Sequence, residues 1–200
     1  MGIFKKLFRN KKQASTESQD EERSKYMPSE KIPIDELFTI NFMKNGGKFI
    51  YCDSYEEINQ NFSNILVENN WNNSNVLCFN DELKNKFKTF NLKFENQNPS
   101  FFFTTCESLI ADKGSILISS NQIKENKVDS LPESFVLFAT TSQLKETISE
   151  GLRSIKDQNK NQIPSNITTL KHFKHTLEEK DFMTYGSSTK NLYLLLLEDL

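Results

Sequence analysis

Short apolar runs recur along the chain from residue 48 onwards, and between them apolar residues return every three or four positions. The runs occupy residues 48–52, 75–79, 100–105, 115–119, 134–140, 166–170 and 191–197. Several of them are apolar at almost every position, which is typical of strands that are buried on both faces. Their alternation with helical stretches predicts an α/β fold, a three-layer domain with a mostly parallel sheet.

Local sequence signals support helices between the runs. Residues 34–45 form a short amphipathic stretch that ends at Gly46–Gly47. Ser54 and Glu57 have the spacing of a capping box in front of an amphipathic helix. A further helix begins with the acidic pair Asp81–Glu82. The last helix is predicted to run through Leu144, Ile148, Leu152 and Ile155.

The segment at residues 106–122 places charges in the most apolar part of the chain. Residues 107–111 look helical and lead through the turn Asp112–Gly114 into the apolar run that starts at Ser115. The simplest interpretation is a tight helix-to-strand turn in which Gly114 has a positive φ. Loops at strand ends in α/β sheets also bind small molecules, so Asp112, Gly114 and Ser115 are candidate ligand-binding residues.

A second candidate loop, residues 185–191, precedes the last apolar run. Gly186 permits a sharp turn, Ser187 and Ser188 offer hydroxyl groups and backbone amides, and Lys190 offers a cation. Such groups suit a carboxylate or a phosphate. A plain polar turn is the alternative interpretation.

Metal and cofactor chemistry finds little support in the sequence. His172 and His175 would share one face of a helix but lack a third ligand, and Cys52, Cys78 and Cys106 do not have the spacing of a zinc or iron–sulfur site. We expect reduced, mostly buried thiols in a cytoplasmic protein, and no bound metal. The dinucleotide, phosphate-loop and serine-nucleophile motifs are also absent, so no cofactor is predicted.

The net charge of the chain and the length of its apolar runs argue against two classes of protein, nucleic-acid-binding and membrane-spanning. The chain has 200 residues and a formal net charge of −2, which argues against a nucleic-acid-binding surface. No apolar run reaches the length of a membrane-spanning helix. Residues 1–25 are basic and then polar, and we expect a disordered tail, with weak contact to an anionic membrane as the alternative. Residues 26–200 are predicted to form one α/β domain.

Three segments, in this order, resemble the LUD-domain family, which includes the lactate utilisation protein C. They are TTCESLIADKGSILISS at 104–120, LPESFVLFATTSQL at 131–144 and YGSSTKNLYLLLLEDL at 185–200. In the first segment the family pattern is matched by Ile110, Ala111, Asp112, Gly114 and Ser115, while Lys113 replaces a threonine. Leu131–Pro132 matches the usual Leu-Pro pair. The family's Gly-Pro-Ser-Arg-Thr segment is missing around residues 170–182, and Ser187–Thr189 replace a His-Gly-Pro portion.

The resemblance implies a fold similar to those of ribose-5-phosphate isomerase, glucosamine-6-phosphate deaminase and CoA transferases. It also implies an accessory subunit of L-lactate utilisation, whose iron–sulfur oxidoreductase partners convert L-lactate to pyruvate. The loops at 112–115 and 186–190 would then bind a small carboxylate. A non-catalytic interaction or assembly module that has lost the family's ligand site is the alternative.

A third hypothesis is that the protein is an active isomerase or CoA transferase, and this hypothesis depends on analogy of fold alone. A CoA transferase needs a nucleophilic glutamate at a strand end, and Glu107 is the nearest candidate, in a segment that looks helical. The rim Thr104–Cys106 also ends a strand, but no base for the Cys106 thiol is evident.

Overall fold

The computed structural model describes residues 32–95, 97–160, 162–173 and 190–199. Its helices are α1 (Ile34–Lys44), α2 (Tyr55–Glu68), α3 (Asp81–Lys86), α4 (Ser120–Ile123) and α5 (Ile148–Gln158). Its strands are β1 (Lys48–Cys52), β2 (Val76–Leu77), β3 (Phe101–Thr104), β4 (Ser108–Ile110), β5 (Ser115–Ile118), β6 (Ser134–Thr140), β7 (Leu144–Lys145), β8 (Thr168–Leu170) and β9 (Asn191–Leu197).

A five-stranded parallel sheet in the order β1-β9-β6-β3-β2 forms the centre of the fold. Strand β9 lies between β1 and β6, and it pairs with β6 from Asn191 opposite Ser134 to Leu197 opposite Thr140. Successive side chains of each strand enter two different cores, as Phe102 and Phe103 show. Burial on both faces is therefore the reason why these runs are continuously apolar.

Different elements cover the two faces of this sheet. Helices α2 and α3 cover one face through residues such as Phe62 and Leu83. Helix α1 and a second sheet cover the other face, where Phe38 and Leu109 are fully buried. Helix α5 lies on the far side of the second sheet, because Ile155 packs with Ile110 and Leu117. The predicted three-layer α/β fold with a mostly parallel sheet is confirmed.

The second sheet has four strands in the order β7-β4-β5-β8. Strands β4 and β5 form an antiparallel hairpin in which Ile110 lies opposite Ser115, and β8 is antiparallel to β5. The predicted helix at residues 107–111 is therefore wrong, since Ser108–Ile110 is a strand. The apolar runs at 115–119 and 166–170 contribute to this smaller sheet and not to the parallel one.

Most of the remaining predictions agree with the structure. Strands β1, β6 and β9 have the predicted bounds, and the Ser54 side chain caps α2 by accepting a hydrogen bond from the Glu57 N–H at 3.2 Å. Leu144 was predicted to be helical, but it lies in β7. The helix α5 starts later, at Ile148, with Thr147 as its N-cap.

The predicted tail, residues 1–25, and the predicted domain start at residue 26 lie outside the described residues. In the part of the chain that is described, no helix is both long and apolar enough to cross a membrane.

Candidate functional site

The turn at residues 112–114 connects β4 to β5 and is held by helix α1. The Asn41 Nδ2 donates to the Ala111 carbonyl at 2.9 Å, and the Asn45 Nδ2 donates to the carbonyls of Lys113 and Gly114 at 2.7 and 3.0 Å. Gly114 has the predicted positive φ, +55°. A Cβ at this residue would lie 2.2 Å from the Asn41 carbonyl carbon, so only glycine fits against α1.

The side chains of this turn point in different directions. Asp112 and Lys113 are exposed and lie 3.6 Å apart, a separation at which a surface ion pair contributes little. Ser115 is fully buried on the face of β5 that also carries Leu117, towards α5. Its Oγ has no hydrogen-bond partner among the described residues. Asp112, Gly114 and Ser115 therefore do not converge on one open pocket.

Lys190 immediately precedes β9, at the amino end of the parallel sheet. Its side chain is buried, and its Nζ donates to the Leu131 carbonyl at 2.8 Å and lies 5.5 Å from the centre of the Phe135 ring. Phe173 forms a β-bridge with Lys190, and its N–H donates to the Asn45 carbonyl at 3.0 Å. Asn45 therefore links the turn at 112–114 to the segment that begins at Lys190. Gly186, Ser187, Ser188 and His175 lie outside the described residues.

A groove of about 500 Å³ lies next to Leu131, the residue that accepts the Lys190 hydrogen bond. Its volume is within the range of small-molecule sites. Its walls combine apolar side chains with a few polar ones: Leu77, Phe79, Pro99, Asn126, Ser130, Leu131, Pro132 and Glu133.

Of the residues that line this groove, sequence analysis singled out only Leu131 and Pro132, which match the Leu-Pro pair of the family. The other lining residues come from the end of β2, from the loop before β3 and from the segment after α4. No local pattern predicts that these segments meet.

Polar groups gather at the opposite, carboxyl edge of the parallel sheet. The Tyr51 hydroxyl donates to Glu198, and burial together with this carboxylate raises the pKa of Tyr51. Asp199 accepts hydrogen bonds from the Thr141 hydroxyl and from the N–H and hydroxyl of Ser142, at 2.7–2.8 Å. Burial alone would raise the pKa of Asp199, but the bonds from Ser142 and Thr141 outweigh it and lower that pKa. These contacts tie the end of β9 to the turn after β6.

Cys106 and Glu107 follow β3 at the same edge. Cys106 is buried, and both its burial and the Glu107 carboxylate raise the pKa of the thiol, which argues against a nucleophilic role. Glu107 lies in a connection between two strands and not in a helix. The Ser119 hydroxyl and the Asn121 Nδ2 donate to its Oε1 at 2.6 and 2.9 Å.

The three cysteines are free and buried, as predicted. Cys52 and Cys78 lie in the core beneath α2 and α3, whereas Cys106 lies in the core on the other face of the sheet. Burial raises the pKa of Cys52 and of Cys78. Within the ranges that the structure covers, no three histidine, cysteine or acidic residues are grouped as metal ligands.

Comparison with known proteins gives a family and a fold. The family model described as the LUD domain matches residues 72–197. A solved structure of similar fold is that of a DUF162 family protein from Deinococcus radiodurans, with a TM-score of 0.59 and 11% identity, over 82% of this chain and 96% of that chain. No curated protein matches the chain. The chain belongs to the LUD domain family.

Proposed function

We propose that this chain is an accessory subunit of L-lactate utilisation, acting with iron–sulfur oxidoreductase partners that oxidise L-lactate to pyruvate. The observation that carries the proposal is the LUD domain match over residues 72–197, because the family relates to lactate utilisation. The buried cysteines lie on two different faces of the sheet, so electron transfer falls to the partners. The chain acts in the cytoplasm, without nucleic acid, and residues 1–25 touch a membrane weakly at most.

The chain's own role in this proposal is to bind a small carboxylate. The loop at 186–190 contributes the ligand contacts, through Gly186, Ser187, Ser188 and Lys190. The other predicted loop, with Asp112, Gly114 and Ser115, contributes indirectly, because Asn45 links it to the segment that begins at Lys190. Two observations support the loop at 186–190. The groove next to Leu131 has a suitable volume, and the Lys190 ammonium reaches the Leu131 carbonyl. The carboxylate of Glu133 also lines the groove, so a bound anion needs a nearby cation such as Lys190 to offset it.

The partner part of the proposal is tested by gentle affinity capture from lactate-grown native cells, followed by mass spectrometry and visible absorbance. We expect brown material that contains cysteine-rich oxidoreductase subunits. A colourless chain that is captured alone contradicts the assignment and favours a different assembly.

The ligand part is tested by thermal stabilisation with lactate, pyruvate or phosphate. A dissociation constant of about 1 mM corresponds to a binding free energy of roughly 4 kcal/mol. At a ligand concentration about ten times this constant, binding stabilises the native state by about 1.4 kcal/mol. We expect Lys190→Met to abolish this shift, because it keeps the length of the side chain and removes the charge. Lys127→Met, at an exposed residue near the groove, is the matched control. Gly114→Val is unsuitable, because a side chain there collides with α1.

A further inference from the structure

The carboxyl end of α1 places an asparagine directly before a glycine. Asn45 is the C-cap of the helix, and two glycines follow it. The Gly46 N–H donates to the Met43 carbonyl at 3.0 Å. The Gly47 N–H donates to the Phe42 carbonyl at 3.0 Å. This bonding pattern closes a helix with a left-handed residue, and Gly46 has a φ of +92°. The way in which α1 ends therefore favours glycine after Asn45.

An asparagine that precedes glycine is chemically labile, because glycine has no side chain to shield its backbone nitrogen. That nitrogen attacks the side-chain carbonyl carbon of the asparagine and forms a C–N bond. The bond from this carbon to Nδ2 breaks, and Nδ2 leaves as ammonia with the proton of the attacking nitrogen. Water then opens the cyclic imide at either carbonyl and leaves aspartate or isoaspartate. Residues 45–46 are the one Asn-Gly pair in the 200-residue sequence.

The folded backbone opposes this reaction. Asn45 has a ψ of 1°, so the Gly46 nitrogen must rotate towards the side chain before a ring can close. The hydrogen bond from the Gly46 N–H to the Met43 carbonyl holds this nitrogen in place. The Asn45 Nδ2 is held by the carbonyls of Lys113 and Gly114, at 2.7 and 3.0 Å. Ring closure breaks all of these bonds, so it proceeds from states in which the end of α1 has opened.

We propose that Asn45 is a site of spontaneous deamidation, that the closed end of α1 slows the reaction, and that the product releases the turn at 112–114. The side-chain amide donates to two carbonyls, whereas a carboxylate has no hydrogen to donate and is repelled by the same oxygens. In isoaspartate the main chain also runs through the former side chain, which displaces the carbonyl that accepts from the Phe173 N–H. This modification needs no ligand and is independent of the proposed role in lactate utilisation.

Peptide mapping by mass spectrometry measures the reaction in the full chain. The chain is incubated at mildly alkaline pH with and without urea, and aspartate and isoaspartate at residue 45 are quantified over time. We expect both products in urea, and a rate in the folded chain that is lower by about tenfold or more. Equal rates in the two conditions, or no product in urea, would overturn the proposal.

Two variants in the segment at 171–173 test whether opening of the helix end controls the rate. Phe173→Ala removes a ring whose centroid lies 5.0 Å from that of Phe42, and it leaves the Asn-Gly pair intact. We expect this folded variant to deamidate several times faster than the parent chain. Lys171→Ala, at an exposed residue of the same segment, is the matched control and should react as the parent does. A Phe173→Ala rate equal to that of the parent contradicts control by the helix end.

Asn45→Asp reproduces one product and tests its consequence for the turn. Hydrogen exchange of the Gly114 N–H, which donates to the Ala111 carbonyl, reports on the closed turn. We expect this exchange to be about tenfold faster or more at pH 7, both in Asn45→Asp and in the deamidated chain isolated by anion exchange. Lys44→Gln changes the net charge by the same amount at the exposed neighbouring residue and should leave the exchange unchanged. Parent-like exchange at Gly114 in Asn45→Asp would show that deamidation does not release the turn.

Discussion

The hydrogen bonds of the Asp199 carboxylate depend on the pairing of two strands, β6 and β9. The Asp199 carboxylate accepts three hydrogen bonds, which Thr141 and Ser142 donate. These two donors follow β6, while Asp199 itself follows β9. Its own N–H donates back to the Thr141 hydroxyl at 3.1 Å. These bonds exist only when β6 and β9 lie side by side, so they stabilise the ionised carboxylate in the folded state alone.

We expect Asp199→Asn to destabilise the protein at pH 7 by about 0.5–1 kcal/mol, a small value because the group is exposed and screened. The folded-state pKa lies below the unfolded value of about 3.9, so the contribution is present above that pH and is lost as the pH falls through the folded value. Urea unfolding at pH 7, 4 and 3 should show the gap between parent and variant narrowing. Asp157→Asn, at an exposed residue of α5, is the control, and a gap independent of pH would contradict this account.

Other residues show where prediction from sequence succeeds and fails. The positive φ of Gly114 was predictable, because a charged turn that contains glycine has few other solutions. The orientation of Ser115 was not, because it depends on the register between β5 and β4. The role of Asn45 was not predictable either, since its hydrogen-bond partners lie 68 and 69 residues away.

At the scale of elements, the β4–β5 hairpin is the main difference between prediction and structure. Residues 107–111 are too few for periodicity to distinguish a helix from a strand. What decides the outcome is antiparallel pairing with β5 across the turn and parallel pairing with β7, which lies much later in the sequence. Strands of the parallel sheet were easier to predict, because burial on both faces leaves a continuous apolar run. Their order in the sheet has no such local signal.

The hairpin turn depends on α1, and this dependence can be measured. Asn45→Ala removes the donor to the carbonyls of Lys113 and Gly114, and we expect a loss of about 1–2 kcal/mol in the free energy of unfolding. The Gly114 N–H, which donates to the Ala111 carbonyl, should also exchange its hydrogen faster. Lys44→Ala, at the exposed neighbouring residue, should change neither quantity. Unchanged exchange at Gly114 in the Asn45 variant would show that α1 does not hold the turn.

At the scale of the whole molecule, aromatic rings join the helical layer to the parallel sheet. The Phe62 ring of α2 lies 4.8–4.9 Å from the rings of Phe87, Phe90 and Phe103, measured between centroids. Phe87 also lies 4.8 Å from Phe103 in an edge-to-face arrangement. Such contacts add to the free energy of simple area burial, so this cluster is a major part of the stability of the fold.

We expect Phe62→Ala to lower the free energy of unfolding by about 3–5 kcal/mol, because it leaves a cavity among rings that cannot all move inwards. Val67→Ala in the same helix removes an apolar side chain that is 61% exposed, and its effect should stay within about 0.5 kcal/mol. Denaturant unfolding of the two variants measures the difference. A loss in Phe62→Ala no larger than that in Val67→Ala would contradict the proposal that the ring cluster holds α2 against the sheet.

The position of β9 has a consequence for synthesis on the ribosome. Among the described strands, β1 pairs with β9 alone in the parallel sheet, and the paired residues Lys48 and Tyr193 are 145 positions apart. While the chain is being translated, β1 therefore has no neighbour in that sheet until β9 has left the exit tunnel. Contacts of such long sequence separation form slowly, and unpaired apolar strands are prone to aggregate in the meantime. Strand β1 is thus the first of the described strands to be translated, and it receives its partner in the sheet last.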